Sequence, residues 1–284
     1  MMFTNPYIEP EQNIKKDGYL GSFITYKSIG SISLKALQIY KNKYPQLLLI
    51  SIISFIPSLM LSMFYPEELS SIASYFLDSE ATTEVFPDLT FNVYLLLILQ
   101  VLLIPLVDAA MIIALGRIII SQDTNILTAF YLTLTRGYSL ILNVVIFYLI
   151  LILFVFLSLL FIGLPLLFLW IISTITYLHA IYFENSGVGS ALFRSLKLLS
   201  KSWLDLFKFW VPILGLTALQ FISSLFIYEG SLATIFNELL SFVLRPLTLI
   251  IYSLAYIHYR IKFEDLSYIN YGNSVVNLGL SIEE

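Results

Sequence analysis

Two ionisable residues interrupt apolar stretches of this sequence that are otherwise long enough to cross a membrane. Asp108 lies three residues after Pro105, and Arg245 lies immediately before Pro246. Charges at membrane depth are costly and mark substrate or ion pathways by default, and a proline distorts the helix beside them. Asp108 and Arg245 are therefore candidates for handling a solute or an ion. The structural alternatives are a buried ion pair, or an arginine that reaches the outer membrane interface.

The depths of the two charges along their predicted spans argue against a direct pair. If span 2 begins at Phe91, Asp108 lies 17 residues from its outer end, or about 25 Å at about 1.5 Å per residue. If span 6 begins at Glu238, Arg245 lies seven residues from the same side, or about 10 Å. The sequence therefore predicts that Asp108 and Arg245 do not bond to each other.

A second group of candidate residues lies near the predicted cytoplasmic surface. Glu184 ends the fourth predicted span, and Arg194 belongs to the basic stretch that follows it. Arg260 and Glu264 come after the last span. These four residues are candidates because they place charge where an apolar helix meets the headgroup region.

The sequence has none of the common motifs for catalysis, metal binding or phosphate binding. Its two histidines, His179 and His258, have neighbouring acids in sequence but show neither HExxH nor paired spacing, and there is no cysteine. No glycine-rich phosphate loop and no nucleophile motif is present. We therefore predict no catalytic residue, no metal and no cofactor.

The composition predicts an all-α, polytopic membrane protein. Of its 284 residues 58% are hydrophobic and 12% are charged, whereas soluble domains have about 25% charged residues. A span needs about 20 apolar residues. The 138–183 run has 46 residues without a charge and divides at Gly163 and Pro165 into two spans. Six transmembrane helices in three hairpins are therefore predicted, over residues 45–65, 91–116, 138–161, 166–183, 206–227 and 238–257.

The distribution of lysine and arginine predicts the orientation of these spans, because cytoplasmic loops retain basic residues. Fourteen of the 15 bases fall on one side of the six-span arrangement, whereas the loop 66–90 has six acids and no base. We expect both termini in the cytoplasm and this loop outside. The net charge of −4 gives no basic field for nucleic acid as a partner.

Each predicted hairpin follows a stretch with the apolar spacing of an amphipathic helix. The three stretches are 29–42, 125–136 and 188–203. Such helices lie in the membrane interface, with the apolar face toward the acyl chains and the bases toward anionic headgroups. We therefore expect three cytoplasmic interfacial helices, with the bilayer and its anionic headgroups as partners. A true internal repeat and a common requirement of cytoplasmic hairpins both explain the pattern. A membrane domain over residues 28–268 then lies between a flexible N-terminal segment, 1–27, and a tail, 269–284.

Several short sequence motifs follow one another along the chain. "LQIYKNKY" at 37–44 leads into a span with Pro57, and "SALFRSLKLL" at 190–199 follows the glutamate that closes span 4. "YIHYRIKFEDL" at 256–266 follows the last span, with His258 where an acid is common. In this order they resemble the membrane domain found in front of some bacterial glycerophosphoryl diester phosphodiesterases, which also occurs alone. The positions that match the family pattern are Ala191, Leu192, Ser195, Tyr256, Arg260 and Glu264.

The resemblance implies a six-span integral membrane domain of a bacterial or archaeal cell membrane, without defined chemistry. It covers residues 28–268. The acids, histidines and metal ligands of the hydrolase barrel are not found in the sequence, so the resemblance does not imply phosphodiesterase activity.

Three functions are consistent with these patterns. The leading hypothesis is a non-catalytic protein that organises the membrane or assists a partner membrane protein, because interfacial helices and short loops occur without a catalytic cluster. The alternative is a small transporter that uses Asp108 and Arg245, which prolines within several spans favour. A membrane-embedded glycerophospholipid enzyme is a second alternative, favoured by the resemblance only. A water-filled cavity that reaches Asp108 or Arg245 would favour transport, and a tightly packed bundle would oppose it.

Overall fold

A computed structural model of the chain describes residues 29–69, 71, 89–119, 125–158, 165–166, 176–183, 186–226 and 231–264. Within these ranges the regular structure is entirely helical, and the predicted all-α class is confirmed. The predicted N-terminal segment 1–27, the tail 269–284, Glu184 and most of the acidic loop lie outside the described residues. The helices are α1 (Ile29–Phe64), α2 (Phe91–Ile119), α3 (Ile126–Thr135), α4 (Gly137–Ser158), α5 (176–183), α6 (Val188–Phe226) and α7 (Ser231–Glu264).

Three of these helices are long and apolar enough to cross a membrane. The apolar stretches are Gly30–Phe64 in α1, Phe91–Ile119 in α2 and Ile235–Arg260 in α7. A helix of this length extends beyond the roughly 30 Å of a bilayer core. The chain therefore has helices suited to a membrane, and a total of six crossings stays a prediction.

Of the three stretches predicted as interfacial helices, two are continuous with the next predicted span and one is a helix of its own. The stretch 29–42 continues through Pro45 into the first predicted span as the single helix α1, and 188–203 continues into the fifth as α6. The middle stretch alone forms its own helix among the described elements. Its first residues are capped by Asn125, whose Oδ1 accepts a hydrogen bond from the backbone N–H of Leu127 at 3.0 Å. The first and third stretches are therefore continuous with the predicted span that follows each of them, and the interfacial position of all three stays a prediction.

The apolar face of the 29–42 stretch packs against protein. Ile32, Ala36 and Ile39 on this face are at most 1% exposed and belong to the main core. Further along the same helix, Leu47 and Ile50 are equally buried in that core. Because both parts of α1 bury side chains in one core, a continuous helix satisfies both packings, and Pro45 removes only one backbone hydrogen bond.

The second half of α2 is the centre of the molecule. Every residue from Ala109 to Leu115 is at most 2% exposed, so this part of the helix is surrounded on all sides. Helix α1 packs along α7 and against α2, α6 packs against α7, and α3 packs against α2. The first half of α2 is different, since Ile98 and Leu102 are more than half exposed. Asp108 lies where the enclosed part of the helix begins.

The turn between α3 and α4 is tied to α5. Arg136 ends α3, and its Nη1 donates a hydrogen bond to the carbonyl oxygen of Tyr182 at 3.1 Å. Burial lowers the pKa of Arg136, and the nearby Tyr182 partly opposes that shift. The contact holds α3 close to the end of α5.

Candidate functional site: a polar cavity between four helices

Asp108 and Arg245 form a direct ion pair between α2 and α7. Arg245 Nε donates to Asp108 Oδ1 at 2.8 Å, and Arg245 Nη2 donates to Asp108 Oδ2 at 2.8 Å. This two-bond geometry is the strongest arrangement available to an arginine and a carboxylate. The side chain of Arg245 is 30% exposed and that of Asp108 is 23% exposed. The prediction that the two residues do not bond to each other is therefore wrong.

The prediction failed because α7 begins earlier than the sequence suggests. Its first residue is Ser231, which places Arg245 14 residues from the helix start, or about 21 Å along the axis. Asp108 is 17 residues from the start of α2, or about 25 Å. The two charges therefore lie at nearly the same depth, and α2 and α7 are packed side by side.

The ion pair lines a cavity of about 440 Å³ between α1, α2, α6 and α7. A cavity of this size matches the volumes of roughly 300–1,000 Å³ that small-molecule sites have. Its wall combines apolar side chains from all four helices with an unusual number of polar groups for a stretch of apolar helices. The polar residues include Ser51, Ser58, Gln100, Glu238, Ser241 and Thr217.

Helical spacing brings these polar residues to one side of each helix. On α1, Ser51, Ser54 and Ser58 are three and four residues apart and so lie on one face. On α7, Glu238 and Arg245 are seven residues apart, which is almost two full turns. The serines and Glu238 were not among the candidate residues predicted from the sequence. The signal that could have found them is this spacing within apolar stretches.

A hydrogen-bonded chain crosses the cavity from α2 to α7. Gln100 Nε2 donates to Ser58 Oγ at 3.0 Å, and Ser58 Oγ donates to Glu238 Oε2 at 2.7 Å. Ser58 is itself buried. Glu238 was predicted to be the first residue of the last span. Because α7 begins at Ser231, Glu238 instead lies seven residues inside the helix. The chain joins three helices through polar side chains.

An aromatic pair forms the cavity wall beside this chain. The rings of Phe55 and Phe242 are stacked, with centroids 4.5 Å apart and an interplanar angle of 27°. Both residues line the cavity. Phe55 precedes Ser58 by three residues and Phe242 follows Glu238 by four, so helical spacing places each ring next to a polar group of the chain.

Two of the four candidate residues near the predicted cytoplasmic surface, Arg194 and Arg260, lie close enough to interact. Burial first, and then the positive charge of Arg260, lower the pKa of Arg194, while Tyr256 opposes the shift. Arg260 is 8% exposed, so the two guanidinium groups share a partly enclosed region between α6 and α7. Glu184 lies outside the described residues, and Glu264 is the last residue of α7.

His179 has a packing environment. Its Nε2 lies 3.0 Å from Ser253 Oγ, and its ring stacks on Tyr256 and contacts the edge of Phe183. Within the described ranges, no group of three or more histidine, aspartate or glutamate side chains is placed to hold a metal ion. The described contacts of His179 are those of a residue that joins α5 to α7.

Comparison of the chain with protein-family models, with curated proteins and with solved structures found no match. The resemblance to the phosphodiesterase membrane domain therefore stays a prediction from the sequence motifs.

The cavity offers the chemistry of binding. Its wall supplies hydroxyls, an amide, two carboxylates and a guanidinium. The hydroxyls of Ser51 and Ser54 donate to backbone carbonyls of their own helix, at 3.2 and 3.1 Å. The hydroxyl of Ser58 donates instead to the Glu238 carboxylate at 2.7 Å. The arrangement is therefore suited to hold a polar solute by hydrogen bonds and charge.

Proposed function

We propose that this protein is a small permease, which binds a polar solute in the cavity between α1, α2, α6 and α7 and moves it across the membrane. The observation that carries the proposal is the cavity of about 440 Å³ with Asp108, Arg245 and Glu238 in its wall. Ionisable residues inside transmembrane segments are rare, face cavities or partners, and mark substrate pathways. A solute with polar groups would find partners there that the bilayer lacks.

The proposal includes six crossings with both termini in the cytoplasm. Helices α1, α2 and α7 supply three apolar stretches of sufficient length. The 22 residues of α4 and the 39 residues of α6 support two further crossings, over the predicted spans 138–161 and 206–227. The fourth predicted span, 166–183, is described at residue 166 and over 176–183, and the proposal counts it as the sixth crossing.

The cavity favours a permease over the two other functions. A structural role accounts for the Asp108–Arg245 pair, which joins α2 to α7, but it does not account for a cavity with a further carboxylate in its wall. A lipid enzyme needs a nucleophile, a general base and free donors for the developing negative charge. Ser58 and Glu238 supply the first two, but the guanidinium of the cavity is already bonded to Asp108. The resemblance to the phosphodiesterase membrane domain remains compatible with a permease, since it implies no defined chemistry.

The proposal is tested by cysteine labelling, for which the absence of cysteine from the natural chain is an advantage. Ser241 lines the cavity and is exposed. We expect the variant Ser241→Cys to react with a membrane-impermeant maleimide in right-side-out vesicles and also in inside-out vesicles. A permease exposes its site alternately to both sides, so reaction in both preparations is the expected result.

Leu239 provides the matched control on the same helix. It is 44% exposed but does not line the cavity. The variant Leu239→Cys is expected to stay unlabelled in both preparations, because a thiol in contact with lipid does not form the reactive thiolate. Labelling of Ser241→Cys from one side only, or from neither, would overturn the permease proposal and leave membrane organisation as the better explanation.

A further inference from the structure

The cavity carries more negative than positive charge. Among the described residues of its wall, Asp108 and Glu238 are the acids and Arg245 is the base, and the weakly acidic phenol of Tyr252 is the remaining ionisable group. Asp108 and Arg245 neutralise each other through their two hydrogen bonds. The formal charge of Glu238 therefore remains in the wall without a counter-charge among the described residues, which is unfavourable between packed helices.

Glu238 has bonding capacity that the described residues do not use. Its Oε2 accepts the hydrogen bond from Ser58, but no described residue donates to Oε1. No described lysine or arginine lies within ion-pair distance of Glu238. An ionised carboxylate accepts several hydrogen bonds and favours a cationic donor. A bound cation would supply a counter-charge for the Glu238 carboxylate and a hydrogen-bond donor for its Oε1.

The rings beside Glu238 indicate which kind of cation fits. Phe55 and Phe242 line the cavity next to the carboxylate. Aromatic faces attract ammonium groups through the ring quadrupole, and aromatic cages bind quaternary ammonium ligands. The two rings are stacked on each other, so the outer face of each ring is the one left for such a contact. Hard metal cations take six or more oxygen ligands, and within the described ranges no group of three or more histidine, aspartate or glutamate side chains is placed to hold one. The apolar part of an organic ammonium ion would pack against the rings.

We infer that the cavity binds an organic ammonium ion, with Glu238 as its counter-charge and Phe55 and Phe242 against its apolar part. This inference rests on the proposed permease function and specifies the class of solute. The carboxylate of Glu238 then acts as the group that selects cations over anions. The Asp108–Arg245 pair, which is already neutral, contributes hydrogen bonds and no net charge.

The test uses the Ser241→Cys variant and two methanethiosulfonate reagents of similar size and opposite charge. One carries a trimethylammonium group and the other a sulfonate. Each labelling rate is divided by the rate of the same reagent with a small free thiol, which removes intrinsic differences in reactivity. We expect the normalised rate to be about tenfold higher for the cationic reagent, because one net negative charge attracts a cation and repels an anion in a medium of low dielectric constant.

The same test is repeated with Glu238→Gln added, since glutamine keeps the shape of the side chain and removes its charge. The cationic preference should then fall about tenfold, to near unity. A second measurement adds benzyltrimethylammonium as a competitor, which should slow labelling of Ser241→Cys, whereas benzenesulfonate should not. Glu67→Gln is the matched control, because Glu67 lies outside the cavity and its loss should leave the preference unchanged.

The outcomes separate this inference from the permease proposal. If Ser241→Cys reacts equally well with both reagents, the ammonium inference is overturned while the accessible cavity stands. If neither reagent reacts from either side, the permease proposal is overturned and the inference with it. If Glu238→Gln does not fold, Phe242→Leu replaces it: this variant should keep the cationic preference and lose protection by benzyltrimethylammonium, and unchanged protection would overturn the role of the rings.

Discussion

At the scale of single residues, the ion pair between Asp108 and Arg245 determines how α2 and α7 meet. Two charges inside apolar helices are tolerated because each satisfies the other through two hydrogen bonds at 2.8 Å. Loss of one partner leaves the other charged in an environment that solvates it poorly. Removing one partner is therefore expected to cost more free energy of unfolding than removing both.

We predict that Asp108→Asn lowers the stability of the detergent-solubilised protein by on the order of 3 kcal/mol, because it leaves the Arg245 guanidinium without a counter-charge. The measurement is the free energy of unfolding, or the shift in melting temperature by a thiol-independent probe. The matched variant is the double change Asp108→Leu with Arg245→Met, which removes both charges and should cost less than the single change. If the double change lowers the free energy of unfolding as much as Asp108→Asn or more, the two residues are not coupled.

A second prediction concerns Ser58, the middle group of the chain from Gln100 to Glu238. Ser58→Ala removes an acceptor for Gln100 and a donor to Glu238 at the same time, so we expect a loss of about 2 kcal/mol. Ser62→Ala is the control on the same helix, because its buried hydroxyl donates only to the carbonyl of Ser58, and its loss should cost less than about 1 kcal/mol. Similar melting temperatures for the two variants would contradict a structural role of the chain.

At the scale of the helix, α1 is one continuous unit that enters the core at two places. Ile32 and Ile39 in its first part and Ile50 in its second part are buried in the same core. The serines that line the cavity lie on the second part. The rotation of the first part therefore fixes the direction in which Ser51 and Ser58 point.

We predict that one alanine inserted after Asn42 destabilises the protein by on the order of 3 kcal/mol or more. The insertion rotates Ile32 and Ile39 by about 100° relative to the rest of α1, which removes them from the core. Lys41→Ala is the control, since Lys41 is exposed and its substitution rotates nothing. If the first part of α1 were a separate interfacial helix on a hinge, the insertion and the substitution would have equally small effects on the melting temperature.

At the scale of the whole molecule, the outward surfaces of α1 and α2 are apolar. Leu49, Ile52 and Ile56 on α1, like Ile98 and Leu102 on α2, are large and at least 40% exposed. Such surfaces suit contact with acyl chains, while the polar groups of the same helices line the cavity between them. The molecule therefore combines an apolar core with an apolar outer surface on α1 and α2, as a protein in a bilayer does.

The predicted orientation is tested with single cysteines on the two sides. Tyr75→Cys in the acidic loop should react with an impermeant maleimide in intact cells, because that loop has six acids and no base. Lys197→Cys in the basic stretch should react only after the cells are permeabilised. Lys201→Cys is a second reporter from the same stretch and should behave like Lys197→Cys. Reaction of positions 75 and 197 on one side would contradict the six-span arrangement.

Residues with a formal charge were easier to find from the sequence than neutral ones. Asp108 and Arg245 are conspicuous because they interrupt apolar runs, and both prove to line the cavity. Ser58 and Gln100 were not singled out, since such residues occur in apolar helices for many reasons. Glu238 was missed because the sequence gives no marked boundary between the loop and the start of α7.

The sequence alone determined that the chain is helical and that its helices suit a membrane, because hydrophobicity and length are properties of each segment by itself. Only the tertiary structure decided which polar groups meet. Contacts between helices depend on where each helix begins and on its rotation, and a start seven residues earlier moves Arg245 by about 10 Å along the axis of α7. That shift brings Arg245 level with Asp108, and the same packing of α1, α2, α6 and α7 encloses the cavity around them.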